Sequence, residues 1–574
     1  MSKSSRTGGE LLVKCLANLG VKTGFGVPGE SYLAVLDALY DADISFTLCR
    51  HESAAGFAAA AWGKLTGQPG IGFVTRGPGA TNGSIGVHTA MQDSSPMILF
   101  IGQVAVDDKG REAFQEVDYR AFFTPLAKWA TEIDNADRIP EIISRAWHIA
   151  LSGRPGPVVI ALPEDMLTQM TDSQPCQPVT IAEAGVDTNA LSQAMEMLSA
   201  AKKPLILAGG GGWNDAGRKA LKSFAESQNF PVSAAFRYHD VIDNHSPVYI
   251  GDAGVGMAPH IVAAIKQADV ILALNIRLGE GTTQAWTLLD VPYAKQKIIH
   301  VHASDMEIGK IYHPALALHA GPNQFAMALA GQVAGDAQLA SRKAFIEENR
   351  KAYLASLTPA AQDSPVDMSA VMAILQEQLA DDAILTNGAG NFALWPNKAF
   401  CYGPKQRLIA PQSGAMGYGL PAAIAAGVAY PGRQVVCFAG DGDIQMGIAE
   451  LGTAIQANAR LIIIILNNGS YGTIRMHQER DYPNRISGTS LYNPDFAAVA
   501  QAYGMAGFKV GKTADFEAVF AKAAQAEKGA VIELDINVDA ITPRTTLTKL
   551  RGGAYAPLAS GFGQAILSII MHPH

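Results

Sequence analysis

Two oxygen-bearing side chains set the first chemistry this sequence could do. Asp441 stands inside a Gly440-Asp441-Gly442 turn after the apolar run Val435 to Ala439, and Asn468 follows Asn467 at the end of the run Leu461 to Leu466. A carboxylate and an amide oxygen are hard donors, and beside a glycine-lined crevice they suit a cation such as Mg²⁺ that holds a diphosphate. A third candidate is Glu52. With Arg50 and His51 it opens an alanine-rich helix, SAAGFAAAAWGKLTG. An acid in a first helical turn is ordinarily a partner of the helix dipole. Buried ahead of so apolar a helix, it would also suit proton chemistry.

The elements between Asp441 and Asn468 show how the pair would meet. An apolar strand, the glycine turn, an amphipathic helix from about Ile444 to Ala457 and a second apolar strand make a βαβ unit. Both strands are apolar on each face, as parallel strands covered on two sides are. A right-handed crossover puts both residues at carboxyl ends of parallel strands, where ligands of open α/β sheets bind.

The same alternation fills the chain. Strands are expected at Thr23–Val27, Ser45–Leu48, Gly70–Thr75, Met97–Gly102 and Pro157–Ala161, with helices between. A polar stretch from Thr171 to Thr188 reads as a linker. A second α/β block opens at Pro204 and carries strands at Val270–Leu274 and Lys297–His302, and a charged helix, Leu339 to Ser356, leads to the third block. The fold class is α/β, with three doubly wound parallel-sheet domains over residues 1–185, 186–345 and 365–574.

The 574 residues are too many for one core. A net charge of −8 leaves no basic footprint for nucleic acid. No window reaches the length of a membrane span, and the N-terminus lacks a secretory pattern. Five scattered cysteines fit core thiols of a reducing cytoplasm better than disulfides or a metal site.

Taken together, GDG…NN, the His51-Glu52 helix start, the GVPG turn (Gly26 to Gly29) and GPGATN (Gly77 to Asn82) resemble the thiamine-diphosphate enzymes. The nearest branch is the acetohydroxyacid synthase catalytic subunit, and the likeness extends to AFQEVD (Ala113 to Asp118), SGRPGP (Ser152 to Pro157) and SGAMG (Ser413 to Gly417). The resemblance implies a pyrimidine-binding first domain, a central domain and a diphosphate-binding third domain. It implies a pyruvate-like 2-oxoacid that loses CO₂ and is joined to an acceptor carbonyl, with thiamine diphosphate as the electron sink. Glu52 matches the carboxylate on the aminopyrimidine ring, and Met416 the apolar wedge that folds the cofactor. Asp441, Asn468 and the Ser470 carbonyl match the Mg²⁺ ligands. Val27, Pro28, Gly29, Gly79, Asn82, Gly390, Asn391, Gly414, Gly440, Gly442, Asp443, Tyr471 and Gly472 match the rest of the cofactor site. Because Glu52 and the metal ligands come from neighbouring subunits in this family, a homodimer is the minimum and a homotetramer is expected.

Gln115, Phe114 and Gln103 match residues around the reacting carbon, and Arg277 the arginine that takes the second substrate's carboxylate. His477 stands where the family keeps a tryptophan, and it is either a proton donor or a packed, satisfied histidine. Glu164 replaces a lysine, Asn391-Phe392 a Gln-His pair, Val27 a tyrosine, and the tail DAITPRTTLTKLRGG departs from the family pattern. These departures keep a second reading open, a 2-oxoacid decarboxylase or 2-hydroxyacyl lyase. The glycines Gly209 to Gly212 of the middle block leave FAD open, and a regulatory small subunit is likewise undecided.

Overall fold

The computed structural model describes residues 5–551. The three blocks form three six-stranded sheets built from parallel pairs. In the first, the spatial order is Ser45–Leu48, Thr23–Gly26, Gly70–Val74, Met97–Gln103, Pro157–Pro163, Trp129–Glu132. In the third it is Arg407–Ile409, Ile384–Asn387, Val435–Gly440, Leu461–Asn467, Ala530–Asp535, Ala506–Val510. Counted within its own domain, each reads 2-1-3-4-6-5. The middle sheet reads 3-2-1-4-5-6, the order of dinucleotide-binding folds.

The local reasons are plain. Ile463 and Ile464 are fully buried, so the strand Leu461–Asn467 is covered on both faces and has no polar side. The helix Glu52–Thr66 is squeezed between the first sheet and the third domain, which leaves room only for small residues on most of its faces. Its Phe57 ring meets Tyr418 edge-on at 5.5 Å across that boundary. On its other side it crosses the helix Pro78–Asp93 at Gly56 and Gly86. A Cβ at Gly86 would lie 2.4 Å from the Gly56 Cα. The charged segment Leu339–Ser356 is one helix, as expected.

One expected element is broken. In place of a continuous helix from about Ile444 to Ala457 there is a short helix Asp441–Ile444, a 3₁₀ turn Ile448–Glu450 and a helix Leu451–Gln456. Asp441 and Asp443 start helical directly at the strand end, so the GDG turn is itself the first helical turn. Gly447, at φ −149° and ψ 25°, then redirects the chain. Amphipathic spacing survives such a break, which is why periodicity did not reveal it.

Candidate active site

Asp441 opens its short helix at the carboxyl end of Val435–Gly440 and is 2% exposed. Its Oδ2 accepts from Asn493 Nδ2 at 2.7 Å and from the Ser470 N–H at 3.2 Å. Burial lifts its pKa above the ordinary carboxylate value. Asn468 Oδ1 accepts from the same Ser470 N–H at 3.1 Å. The three residues border a cleft of ≈ 230 Å³ that Met416 and Gly414 also line. Gly390, Asn391, Gly440, Gly442, Asp443, Tyr471 and Gly472 complete it, so every residue expected on the diphosphate side is in one place. A desolvated carboxylate, a carboxamide oxygen and a backbone carbonyl on one rim fit a hard divalent cation. The glycines fit the walls. A Cβ at Gly442 would lie 2.5 Å from Tyr471 Cε1, and one at Gly440 2.8 Å from Phe392 Cδ1.

Asp443 has a separate task. Its Oδ1 accepts from the Gly417 and Ala389 N–H groups at 2.9 and 3.3 Å, joining the loops before and after the cleft. Burial pushes its pKa up to about 7.

The other half of the expected cofactor site assembles on the first domain. Glu52 is half-buried rather than buried, and its Oε2 accepts from Asn82 Nδ2 at 3.0 Å. A Cβ at Gly79 would stand 3.5 Å from Glu52 Oε1, and one at Gly29 2.5 Å from Thr75 Cβ. The Val27 carbonyl accepts from Tyr32 Oη at 2.5 Å, while Pro28 is exposed. Among the described residues, nothing from the first domain lines the Asp441 cleft. Within one chain the two halves remain apart.

The residues expected around the substrate scatter more. Phe114 is 73% exposed, and Gln115 takes a left-handed conformation (φ 66°) where its carbonyl packs on Gly77. Gln103 is buried with its carboxamide spent internally: Nε2 donates to the Val117 carbonyl at 2.9 Å, and Oε1 accepts from the Val104 N–H at 3.0 Å. It braces the loop that bears Gln115. Arg277 sits where the three domains meet, donating to the Gln92 carbonyl at 2.9 Å, Gln92 Oε1 at 3.2 Å and Gln412 Oε1 at 2.9 Å. His477 lies on the helix Gly472–Asp481 beyond Thr473 and Ile474, which do line the cleft, but it does not line it itself. Burial, and then Arg480, push its pKa below the ordinary histidine value.

The glycine turn of the middle domain is filled by protein. A Cβ at Gly210 would be 2.0 Å from the Asn275 carbonyl oxygen and one at Gly211 2.1 Å from that of Ser94. Asn275 Nδ2 donates to the Gly211 carbonyl at 2.8 Å, and Trp213 Nε1 to that of Gly209 at 2.8 Å. These glycines admit neighbouring backbone, and the void beside them is only ≈ 40 Å³. That arrangement does not fit a flavin dinucleotide.

Sequence reasoning missed Asn493, which orients Asp441 and also donates to Asn467 Oδ1 at 2.8 Å. Beside the cleft, the Thr473 hydroxyl donates to Asn391 Oδ1 at 3.0 Å. Asn493 stands in a loop, where no spacing marks it. Of the tail, Ile541 lines the cleft and the helix Leu547–Arg551 packs on Gly472–Asp481 through Arg551 and Glu479, while Gly552 and Gly553 lie outside the described residues.

Two sheets of identical order with a dinucleotide-type sheet between them in sequence, and a GDG…NN cleft on the third, mark the class of thiamine-diphosphate enzymes. Three family models agree: the N-terminal TPP binding domain of thiamine pyrophosphate enzymes matches residues 6–122, the central domain 191–329 and the C-terminal TPP binding domain 388–534. The chain is 31% identical over 522 residues to the acetolactate synthase large subunit of Parasynechococcus marenigrum, covering 88% of this chain and 83% of that protein. It is 31% identical over 518 residues to the acetolactate synthase isozyme 2 large subunit of Escherichia coli, covering 89% and 92%. With the mitochondrial acetolactate synthase catalytic subunit of Saccharomyces cerevisiae it shares 29% over 572 residues, covering 96% and 82%. The chain therefore belongs to the thiamine pyrophosphate enzyme family, close to the acetolactate synthase catalytic subunits. Among the described residues no helix is long and apolar enough to cross a membrane.

Proposed function

We propose that this enzyme decarboxylates a pyruvate-like 2-oxoacid and joins the remaining fragment to an acceptor carbonyl, as its acetolactate synthase relatives are named for doing. The observation that carries the proposal is the pair of half-sites, the Asp441–Asn468–Ser470 rim with Met416 and the Glu52–Asn82 pair on a different domain. Thiamine diphosphate, when bound, supplies the electron sink for loss of CO₂. Asp441, Asn468 and the Ser470 carbonyl would hold Mg²⁺ and through it the diphosphate. Met416 would prop the folded cofactor. Glu52 would share a proton with the pyrimidine ring, and Phe114 and Gln115 would border the substrate. Since the two half-sites of one chain lie apart, a homodimer is the smallest working unit. FAD is not part of the proposal, because the Gly209 to Gly212 turn is occupied. Five free, buried cysteines support a cytoplasmic location.

One observation favours the second reading, a decarboxylase or 2-hydroxyacyl lyase. The Arg277 guanidinium is held by Gln92 and Gln412, so a second substrate's carboxylate would have to displace one of them. The test is product analysis by mass spectrometry, with protein, Mg²⁺, thiamine diphosphate and pyruvate. An acetohydroxyacid product is expected, and it should be lost in Arg277→Ala while CO₂ release continues. CO₂ with only an aldehyde would establish the second reading instead.

A further inference from the structure

Glu450 lies outside the cleft and is 1% exposed, yet its carboxylate crosses a domain boundary to the start of the Glu52 helix. Oε1 accepts from the backbone N–H groups of Arg50 and His51 at 2.9 and 3.0 Å. Oε2 accepts from the Arg50 N–H at 3.2 Å and the Thr453 hydroxyl at 2.5 Å. Thr453 Oγ1 in turn accepts from Arg50 Nη1 at 3.2 Å. A Cβ at Gly452 would be 3.1 Å from Arg50 Nε and Nη2, so the glycine there makes room for the guanidinium. The two amides are those of the residues immediately before Glu52, and His51 is the N-cap, its Nδ1 accepting from the Ser53 N–H at 3.2 Å.

We propose that Glu450 is a positioning residue for Glu52, fixing the backbone from which that carboxylate projects. This rests on Glu52 being the group that works on the cofactor. The physical case is that removing the carboxylate takes the charge-assisted acceptor away from both N–H groups, so the Glu450 oxygens hold Arg50 and His51, just past the strand end, in place. The anchor belongs to the third domain, on the segment that follows Asp441 and Asp443. The first domain holds the strand itself, the Cys49 N–H donating to the Gly26 carbonyl at 2.9 Å, while the Arg50 and His51 N–H groups are bonded to Glu450. A glutamine could still accept both N–H groups through its single oxygen, whereas alanine could accept neither.

The test compares Glu450→Gln, Glu450→Ala and Glu52→Gln with the unaltered enzyme. Amide hydrogen exchange on the cofactor-free protein should show Arg50 and His51 exchanging ~10-fold faster or more in Glu450→Ala, with the glutamine variant between. With pyruvate, kcat should fall ~10-fold in Glu450→Ala and be largely restored in Glu450→Gln. The KM and the affinity for thiamine diphosphate should stay within about twofold, because the Asp441 rim is untouched. Unchanged exchange at the two amides overturns the proposal, as does an unchanged kcat or a loss reversed by excess cofactor. If Glu450→Ala does not fold, Glu450→Gln is judged by exchange alone: faster exchange at Arg50 and His51 supports the proposal, and unchanged exchange overturns it. A Glu52→Gln variant with full turnover removes the reading of Glu52 and the proposal with it. A slow Glu52→Gln beside an unaffected Glu450→Ala overturns the proposal alone.

Discussion

Asn493 Nδ2 stands 2.7 Å from Asp441 Oδ2 and 2.8 Å from Asn467 Oδ1, so one carboxamide orients the candidate metal ligand and ties it to the adjacent strand end. Partners that orient a metal's ligands typically account for ~10–100-fold in affinity or activity. Asn493→Ala should therefore raise the Mg²⁺ concentration for half-maximal activity by ~10-fold or more. A Mg²⁺ titration at saturating thiamine diphosphate measures it, and an unchanged midpoint would remove Asn493 from the site.

If the two half-sites of one chain serve different cofactors, Glu52→Gln and Asp441→Ala should complement each other. Each variant alone is expected to be nearly inactive. A mixed dimer carries one intact site and one doubly defective site, so co-refolded chains should recover a substantial fraction of wild-type turnover. No recovery in a verified mixed dimer would mean that both halves serve the same site.

Gly86 and Gly56 allow the helices bearing Asn82 and Glu52 to touch. With a Cβ at Gly86 only 2.4 Å from Gly56 Cα, Gly86→Ala must push the helices apart. Overpacking of this kind costs about 1–3 kcal/mol. Urea unfolding should show the loss, accompanied by weaker cofactor binding as the Glu52–Asn82 hydrogen bond is stretched.

Glu479 has no exposed side-chain surface and accepts from Arg551 at 2.8 and 2.6 Å and from Arg475 at 3.1 Å. Hydrogen bonding by Arg551, then by the Asn484 N–H and Arg475, holds its pKa down at about 2. The folded state thus keeps the carboxylate ionised where the unfolded chain, with an ordinary Glu value of about 4.3, takes up a proton. The stabilisation is complete above that ordinary value and is lost as pH falls toward about 2. Thermal unfolding from neutral to acid pH should steepen over this window in the wild type and flatten in Glu479→Gln. Limited proteolysis should show the Leu547–Arg551 helix released first.

His477 is not among the residues that line the cleft, which leaves it poorly placed to donate a proton there. His477→Gln should leave the pH profile of kcat without a lost limb near the ordinary histidine value of about 6.5, and turnover within about threefold. Disappearance of such a limb would restore the proton-donor role.

Much of this molecule was legible along the chain. The strands Val435–Gly440 and Leu461–Asn467, the charged helix Leu339–Ser356 and the Asp441–Asn468 pair are all local, because burial on both faces, helical spacing and turn chemistry are written in neighbouring residues. What only the tertiary structure decided lies between residues far apart in sequence, where no spacing links them. Asn493 reaches Asp441, Glu450 reaches Arg50 and His51, and Ser94 and Asn275 fill the glycine turn that had left a flavin open. Gln103 and Arg277 have the right residue types at strand ends, but packing commits their polar groups to other parts of the protein. A side chain's type sets what it can bond. Which partner reaches it first in the folded chain is set by how the domains close on one another, and that determines what is left for a ligand.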